Sequence, residues 1–483
     1  MSALTKGIDK LQLGAFAALG ALTITSVLLA FHLQMSYLML IPFVVLVIGI
    51  GILNFKLLYY LLLIAIPLSL EYSFSPSLST DLPDEPLMVG LMLVTFLYLA
   101  RNPRALPKGF FGHIIILGLI LHLFWIFLTA FTSINPLVSF KVFASKLWYV
   151  SAFTLLTVLV IKTKEDVKRA FWCMFWPLTF AISTVFVRFA LMGFPFDEVN
   201  EPMWPFFRNH VNYAAIMSVF LPFIFLARTW YTKGFIRTGL TLAALYYLVA
   251  LYFSYTRTDY LAVLLIVPCY FAVRWRLMKI AMVAVAIGVV GLSYYLTHNN
   301  KYLDYAPEYL ETTVHDEFGQ HLSSTFEGKD VSSMERVYRW VAIGHMFQAR
   351  PVFGFGAGNF YPYYKDYTVR VFETYVSENE EHSTAHNYPL LLLAEQGVVG
   401  VLIFFILTAI LFIKGESIYH SLSNKDDRAI VMTLMIVLGM IYVNIMLSDL
   451  IESDKVGPFF FMIIGLLAAY DIRNKQQLKE ANV

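Results

Sequence analysis

The stretch HNYPLLLLAEQGVVGV, residues 386–401, sets a polar pair against an apolar run that continues to about residue 413. That run is longer than the roughly 20 residues a helix needs to cross a hydrocarbon core. His386 and Asn387 therefore stand where the chain enters a membrane, and the side they face decides what they can do. Working outward, the same pattern recurs along the whole chain. Of 483 residues, 59% are hydrophobic and 14% are charged, against about 25% charged in soluble domains. The expected fold class is an all-α polytopic membrane protein.

Fourteen apolar runs read as transmembrane helices, with twelve or thirteen also compatible: 13–31, 36–53, 57–70, 87–100, 110–131, 143–161, 170–191, 208–228, 236–254, 258–273, 279–297, 388–413, 429–448 and 457–470. The first lacks a small-residue cleavage site and reads as a retained helix rather than a leader. Cys173 and Cys269 both fall inside apolar runs, so no disulfide framework is offered. With a cytoplasmic N-terminus, the inner loops hold 22 of the 35 basic residues, and the short outer connections with the adjoining span ends hold 6. That bias is the positive-inside pattern, and it puts both termini in the cytoplasm. The net charge of +2 gives no argument for nucleic acid as a partner.

One connection is long. Residues 298–387, 90 in all, separate the eleventh and twelfth runs and fall on the outer side. Loops of this length commonly carry function. The expected organisation is a bundle at 1–297, a mostly helical outer loop at 298–387, spans at 388–470 and a tail at 471–483. Within the loop, 307–320 and 332–348 have helical composition and 351–364 reads as turn.

The outer face collects the chemistry. His386 closes the loop; Arg257, beside Asp259, sits at the edge of the tenth run. Arg336 and Arg339 are three apart and share a helix side. PVFGFGAGNF, 351–360, holds Gly354, Gly356 and Gly358, a backbone suited to offering amides to an anion. Arginine suits phosphate because its planar fork donates in pairs and keeps its charge. Histidine suits proton transfer because it titrates near neutrality. Together these residues suggest a site for a phosphorylated, membrane-bound substrate.

Each element also has an ordinary reading. His386 serves as an interfacial polar residue, Arg257 as a snorkelling or Asp259-paired cation, Arg336 and Arg339 as a solvated face balanced by Glu335. His382 and His386, spaced i, i+4 near Glu380 and Glu381, admit a metal site, but Ser383 stands where a zinc-protease pattern needs Glu. GFGAGNF lacks the strand–turn–helix context of a nucleotide loop. The nine tyrosines between 301 and 375 stack on sugars or simply pack.

In combination these residues resemble the bacterial O-antigen ligase and polymerase family. His386-Asn387, nine residues, Gly397 and Gly400 match its His-Asn-x9-Gly-x-x-Gly signature; Val401 follows where the family often has Gly, Thr or Tyr. Arg336 and Trp340 resemble its Arg-x3-Trp, 351–360 its glycine stretch, and Thr256-Arg257 its Ser-Arg. The resemblance covers about 190 residues, from Arg208 to Val401. It implies a transferase in the bacterial inner membrane, with its site facing the periplasm. Such enzymes move a glycan from an undecaprenyl-diphosphate carrier to an acceptor hydroxyl on the lipid A core or on another lipid-linked repeat. Carried over, His386 is the general base and Arg257 and Arg336 hold the diphosphate. Arg339, Asn387, His382 and the three glycines support them, and neither metal nor cofactor is required. Other readings are a protein O-oligosaccharyltransferase, a peptidoglycan-type polymerase using Asp330 or Asp366, and a polysaccharide transporter. The last would need charged residues at mid-bilayer, and the span centres are nearly free of acids.

Overall fold

The computed structural model describes residues 10–35, 38, 41–75, 78–305, 331–373, 377 and 384–481. They form helices α1 (Lys10–Leu33), α2 (Ile41–Ala65), α3 (Asp84–Arg101), α4 (Ile114–Thr132), α5 (Pro136–Val160), α6 (Lys164–Met192), α7 (His210–Thr229) and α8 (Phe235–Tyr252). After these come α9 (Arg257–Leu264), α10 (Ile266–Arg274), α11 (Met278–Thr297), α12 (Val331–Ala349), α13 (Tyr388–Ser421), α14 (Lys425–Leu447) and α15 (Gly457–Ala481). Sequence reading did not anticipate the antiparallel hairpin of β1 (Leu70–Ser75) and β2 (Leu78–Leu82), which pairs Leu70 with Leu82. The chain is a multi-pass helical membrane protein.

Eight helices among the described residues are long and apolar enough to cross a membrane: α4 to α8, α11, α13 and α14. The remaining expected runs take other forms for visible reasons. Runs 36–53 and 57–70 join in α2, bent where Asn54 leaves helical geometry at φ −154°. The run at 258–273 splits at Leu265 into α9 and α10. α3 opens on Asp84 and Glu85, and α15 runs on through charged residues to Ala481.

α13 is the central post, packed against α4 on one side and α14 on the other. Gly415 lets α14 approach, since a Cβ there would fall 2.0 Å from the Met435 sulfur. In α5, residues Val150–Leu155 take π-helical bonding. The wider turn meets α15, where the Thr154 hydroxyl donates to the Phe461 carbonyl at 2.9 Å. α11 stands apart, with none of its apolar window buried.

Polar contacts sort the helix ends into two faces. On one, His113 at the start of α4 bonds Asp471 of α15 at 2.9 Å, Lys164 of α6 pairs with Asp426 of α14 at 2.8 Å, and Arg473 donates to the Lys162 carbonyl at 3.0 Å. On the other, the loop residues Phe355 to Asn359 meet the α4–α5 turn, and the start of α13 meets the end of α14. The first face is rich in the basic residues that the charge bias assigns to the inside.

Candidate active site

α12 presents Arg336, Arg339 and Trp340 to the segment that leads into α13. Trp340 Nε1 donates to the Ala385 carbonyl at 2.9 Å, which pins that segment against the helix. The two arginines are not equivalent. Arg339 is buried and tied to Glu335 at 3.4 Å across one turn of α12, and Glu335 is further bonded by Ser377. Arg336 is half-buried. Glu335 thus balances Arg339 directly.

His386 adopts a left-handed backbone at φ 48°, uncommon for a residue with a Cβ. Three bonds hold it there: its own amide donates to Thr384 Oγ1 at 3.4 Å, the Ala385 carbonyl is taken by Trp340, and Asn387 is anchored behind it. Asn387 caps α13, accepting the Leu390 amide at 3.0 Å, and its Nδ2 donates to the Met446 carbonyl at 2.9 Å. The Tyr388 amide adds a bond to the Ser448 carbonyl at 3.1 Å. Asn387 is therefore a cap and tether that fixes the histidine beside the end of α14; a cap of this kind is worth about 1 kcal/mol.

Burial, then the charges of Arg336 and Arg339, push the His386 imidazole down to about 3. The ring is neutral at physiological pH, able to accept a proton and unable to compete with a cationic ligand for anions. Arg257 opens α9, whose first turn is tied to α14. Two residues beyond it, Asp259 accepts from Ser218 Oγ at 2.6 Å and from Asn444 Nδ2 at 3.1 Å. Asn444 belongs to the end of α14 that also holds Asn387 through Met446. The final turn of α14 thus ties the start of α9 to the start of α13.

Sequence reasoning missed two members. Asp449 is bonded to Thr384 and lies in the field of Arg208; burial raises its carboxyl above the ordinary range. Asp449 and Arg208 both flank apolar runs, where a single charge is conspicuous. His382 lies outside the described residues, as do Glu380, Glu381, Ser383 and Asp330. Asp366 is exposed on the loop surface.

The glycine loop corrects an expectation. Gly354, Gly356 and Gly358 all have positive φ, but the amides around them face inward. α13 breaks at Gly397 (φ 68°, ψ −172°), which frees carbonyls in mid-helix. Phe355 N donates to the Ala394 carbonyl at 2.9 Å, Gly356 N to Glu395 at 2.7 Å, and Val398 N to Pro351 at 2.8 Å. Trp125 Nε1 covers the Gln396 carbonyl at 3.0 Å. The remaining amides go to the chain's own Glu395 carboxyl group, which accepts from the Phe360 amide at 3.1 Å and from Gly358. The loop repairs a broken helix and is spent in doing so; it is no diphosphate cradle. The Gly-x-x-Gly spacing follows, because a Cβ at Gly397 would lie 2.2 Å from the Val352 carbonyl oxygen, and one at Gly400 would lie 2.4 Å from the Gln396 Cβ. Gly397→Ala adds backbone strain of about 1–3 kcal/mol to that clash. It is expected to lower the Tm of the detergent-solubilised protein, and a wild-type Tm would refute this account of the motif.

Beside His386 lies a cavity of about 200 Å³ whose walls include Thr384, Tyr388, Lys146, Glu452, Glu395 and Gln396. Lys146 and Glu452 form an ion pair across it, and the Tyr388 hydroxyl bonds Glu452.

None of the curated proteins compared with the chain matches it. A family model does: residues 242–405, which include Arg257, both α12 arginines, the glycine loop, His386 and Gly400, match the model described as O-antigen ligase. The resemblance read from the motif residues agrees with that match: the segment 242–405 carries an O-antigen ligase domain, a domain of membrane glycosyltransferases.

Proposed function

We propose that this chain transfers a glycan from an undecaprenyl-diphosphate carrier to an acceptor hydroxyl at the periplasmic face of a bacterial inner membrane. The acceptor is the lipid A core or a second lipid-linked repeat. The observation that carries the reading is a neutral, buried His386 held against the Arg336–Arg339 pair at a membrane entry point. Arg336 and Arg257 grip the diphosphate and stabilise the charge that grows on it as the glycosidic bond breaks. His386 takes the proton from the acceptor hydroxyl as that oxygen attacks the anomeric carbon. The carbon–oxygen bond to the carrier breaks, and the electron pair leaves with the diphosphate. No metal or cofactor enters this chemistry.

The test is transfer in proteoliposomes from a polyprenyl-diphosphate saccharide, with lipid A core or a second lipid-linked saccharide as acceptor. Glycan transfer to either supports the reading; consumption of neither, with the donor intact, defeats it. Transfer only to a protein acceptor would move the assignment to protein glycosylation.

The topology proposed is twelve to fourteen spans, even in number, with both termini in the cytoplasm. A cysteine at Lys365 is then labelled by an impermeant thiol reagent from the periplasmic side, and one at Ser423 only after permeabilisation. The reverse pattern would place His386 on the nucleotide-containing side and remove the lipid-diphosphate argument.

A further inference from the structure

We infer that the cavity beside His386 is a saccharide subsite that seats the acceptor sugar; the inference rests on the transferase reading above. A volume of about 200 Å³ far exceeds the roughly 10–15 Å³ that one water requires. Its walls are costly for a membrane protein. Lys146 and Glu395 are almost fully buried, Glu452 faces Lys146, and the Gln396 side-chain oxygen is buried without a hydrogen-bond partner among the described residues. Ionisable groups gathered in such a place are normally functional.

The chemistry selects the ligand class. Lys146 and Glu452 neutralise each other and Glu395 adds no positive charge, so the cavity offers a diphosphate no net cation. The arginines that attract phosphate lie instead on α12. Carboxyl oxygens accept from hydroxyl groups, and the Lys146 ammonium has donors beyond the one it gives Glu452, so the walls offer a sugar both acceptors and a donor. Tyr361 and Phe360 add aromatic surface of the kind that packs on the apolar face of a pyranose. The neighbourhood selects the acceptor over the donor. The donor sugar is bonded to the diphosphate and must stay with the arginines, whereas the acceptor needs only to bring one hydroxyl to the base. Thr384 and Tyr388, on either side of His386 in the chain, both line the cavity, and Thr384 accepts the His386 amide, so the histidine's backbone adjoins the cavity wall.

The test uses the full chain in proteoliposomes, the polyprenyl-diphosphate saccharide donor, and whichever of the two acceptors above supports turnover. Val142→Phe narrows the cavity from α5, and Tyr361→Ala removes an aromatic wall that is only half-buried. Each is expected to raise the acceptor KM by about tenfold or more, without a matching rise in the donor KM. An unchanged acceptor KM in both variants would overturn the inference, as would a rise confined to the donor KM. If a variant is too unstable to assay, competition decides: a free saccharide copying the acceptor terminus inhibits wild-type turnover competitively with acceptor, and inhibition competitive with donor counts against the subsite. Failure of the wild-type protein to transfer any glycan would sink the transferase reading itself. Normal wild-type turnover with indifferent variants would sink only the subsite.

Discussion

His386→Ala slows glycan transfer by about 10²–10⁴-fold while the protein still inserts and still binds the lipid-linked donor. The separation follows from the geometry. In the proposed mechanism the donor is held by guanidinium groups on α9 and α12, and the imidazole acts only as the acceptor oxygen forms its bond. His382→Ala is the necessary control, since it lies four residues earlier; if it is the slow variant and His386→Ala is normal, the base has been assigned to the wrong ring. The pH profile gives an independent reading. Burial and the two arginines hold the free imidazole at about 3, and below that value the protonated ring cannot accept a proton. The acid limb of kcat/KM, which reports the free protein, is therefore low. Bound diphosphate offsets the arginines, favours the protonated ring and moves the acid limb of kcat upward. A kcat limb no higher than that of kcat/KM would separate the diphosphate from the histidine.

Arg336→Lys is expected to lose about 10²–10³-fold in kcat, because one ammonium cannot reproduce a planar fork of donors. Arg339→Lys should lose less, since Glu335 already occupies that guanidinium. Arg336→Gln carries a second signature: with one cation gone, the His386 ring protonates more readily and the acid limb of kcat/KM rises. Full turnover in Arg336→Lys would remove the arginine from diphosphate binding and leave it a surface charge.

The class of fold was legible because a bilayer imposes length and apolarity, and both are read directly from residues. The proposed chemistry rests on a related signal: His386, Arg336 and Arg257 are polar residues placed where hydrophobicity would be cheapest. What composition could not show was how one side chain is spent on another. PVFGFGAGNF looks like an anion-binding backbone, but the carboxyl group it holds is that of Glu395, thirty-five residues further along the chain from Phe360. Lys146 and Glu452, 306 positions apart, became cavity walls only once α5 met the α14–α15 turn. The same blindness applies to the ends of the spans. Hydropathy does not register a bend at Asn54 or a split at Leu265, because both are backbone events.

The break at Gly397 has a bearing on how such proteins can be recombined. Its carbonyls are completed by Phe355, Gly356 and Trp125, so the helix is unfinished without a loop and a tryptophan from elsewhere in the sequence. A chimaera that imports a foreign outer loop onto this bundle would bring a plug cut for another socket. The smallest transplantable part is the set 351–360, 388–400 and Trp125 taken together, and acceptor preference should travel between relatives only when all three move as a block.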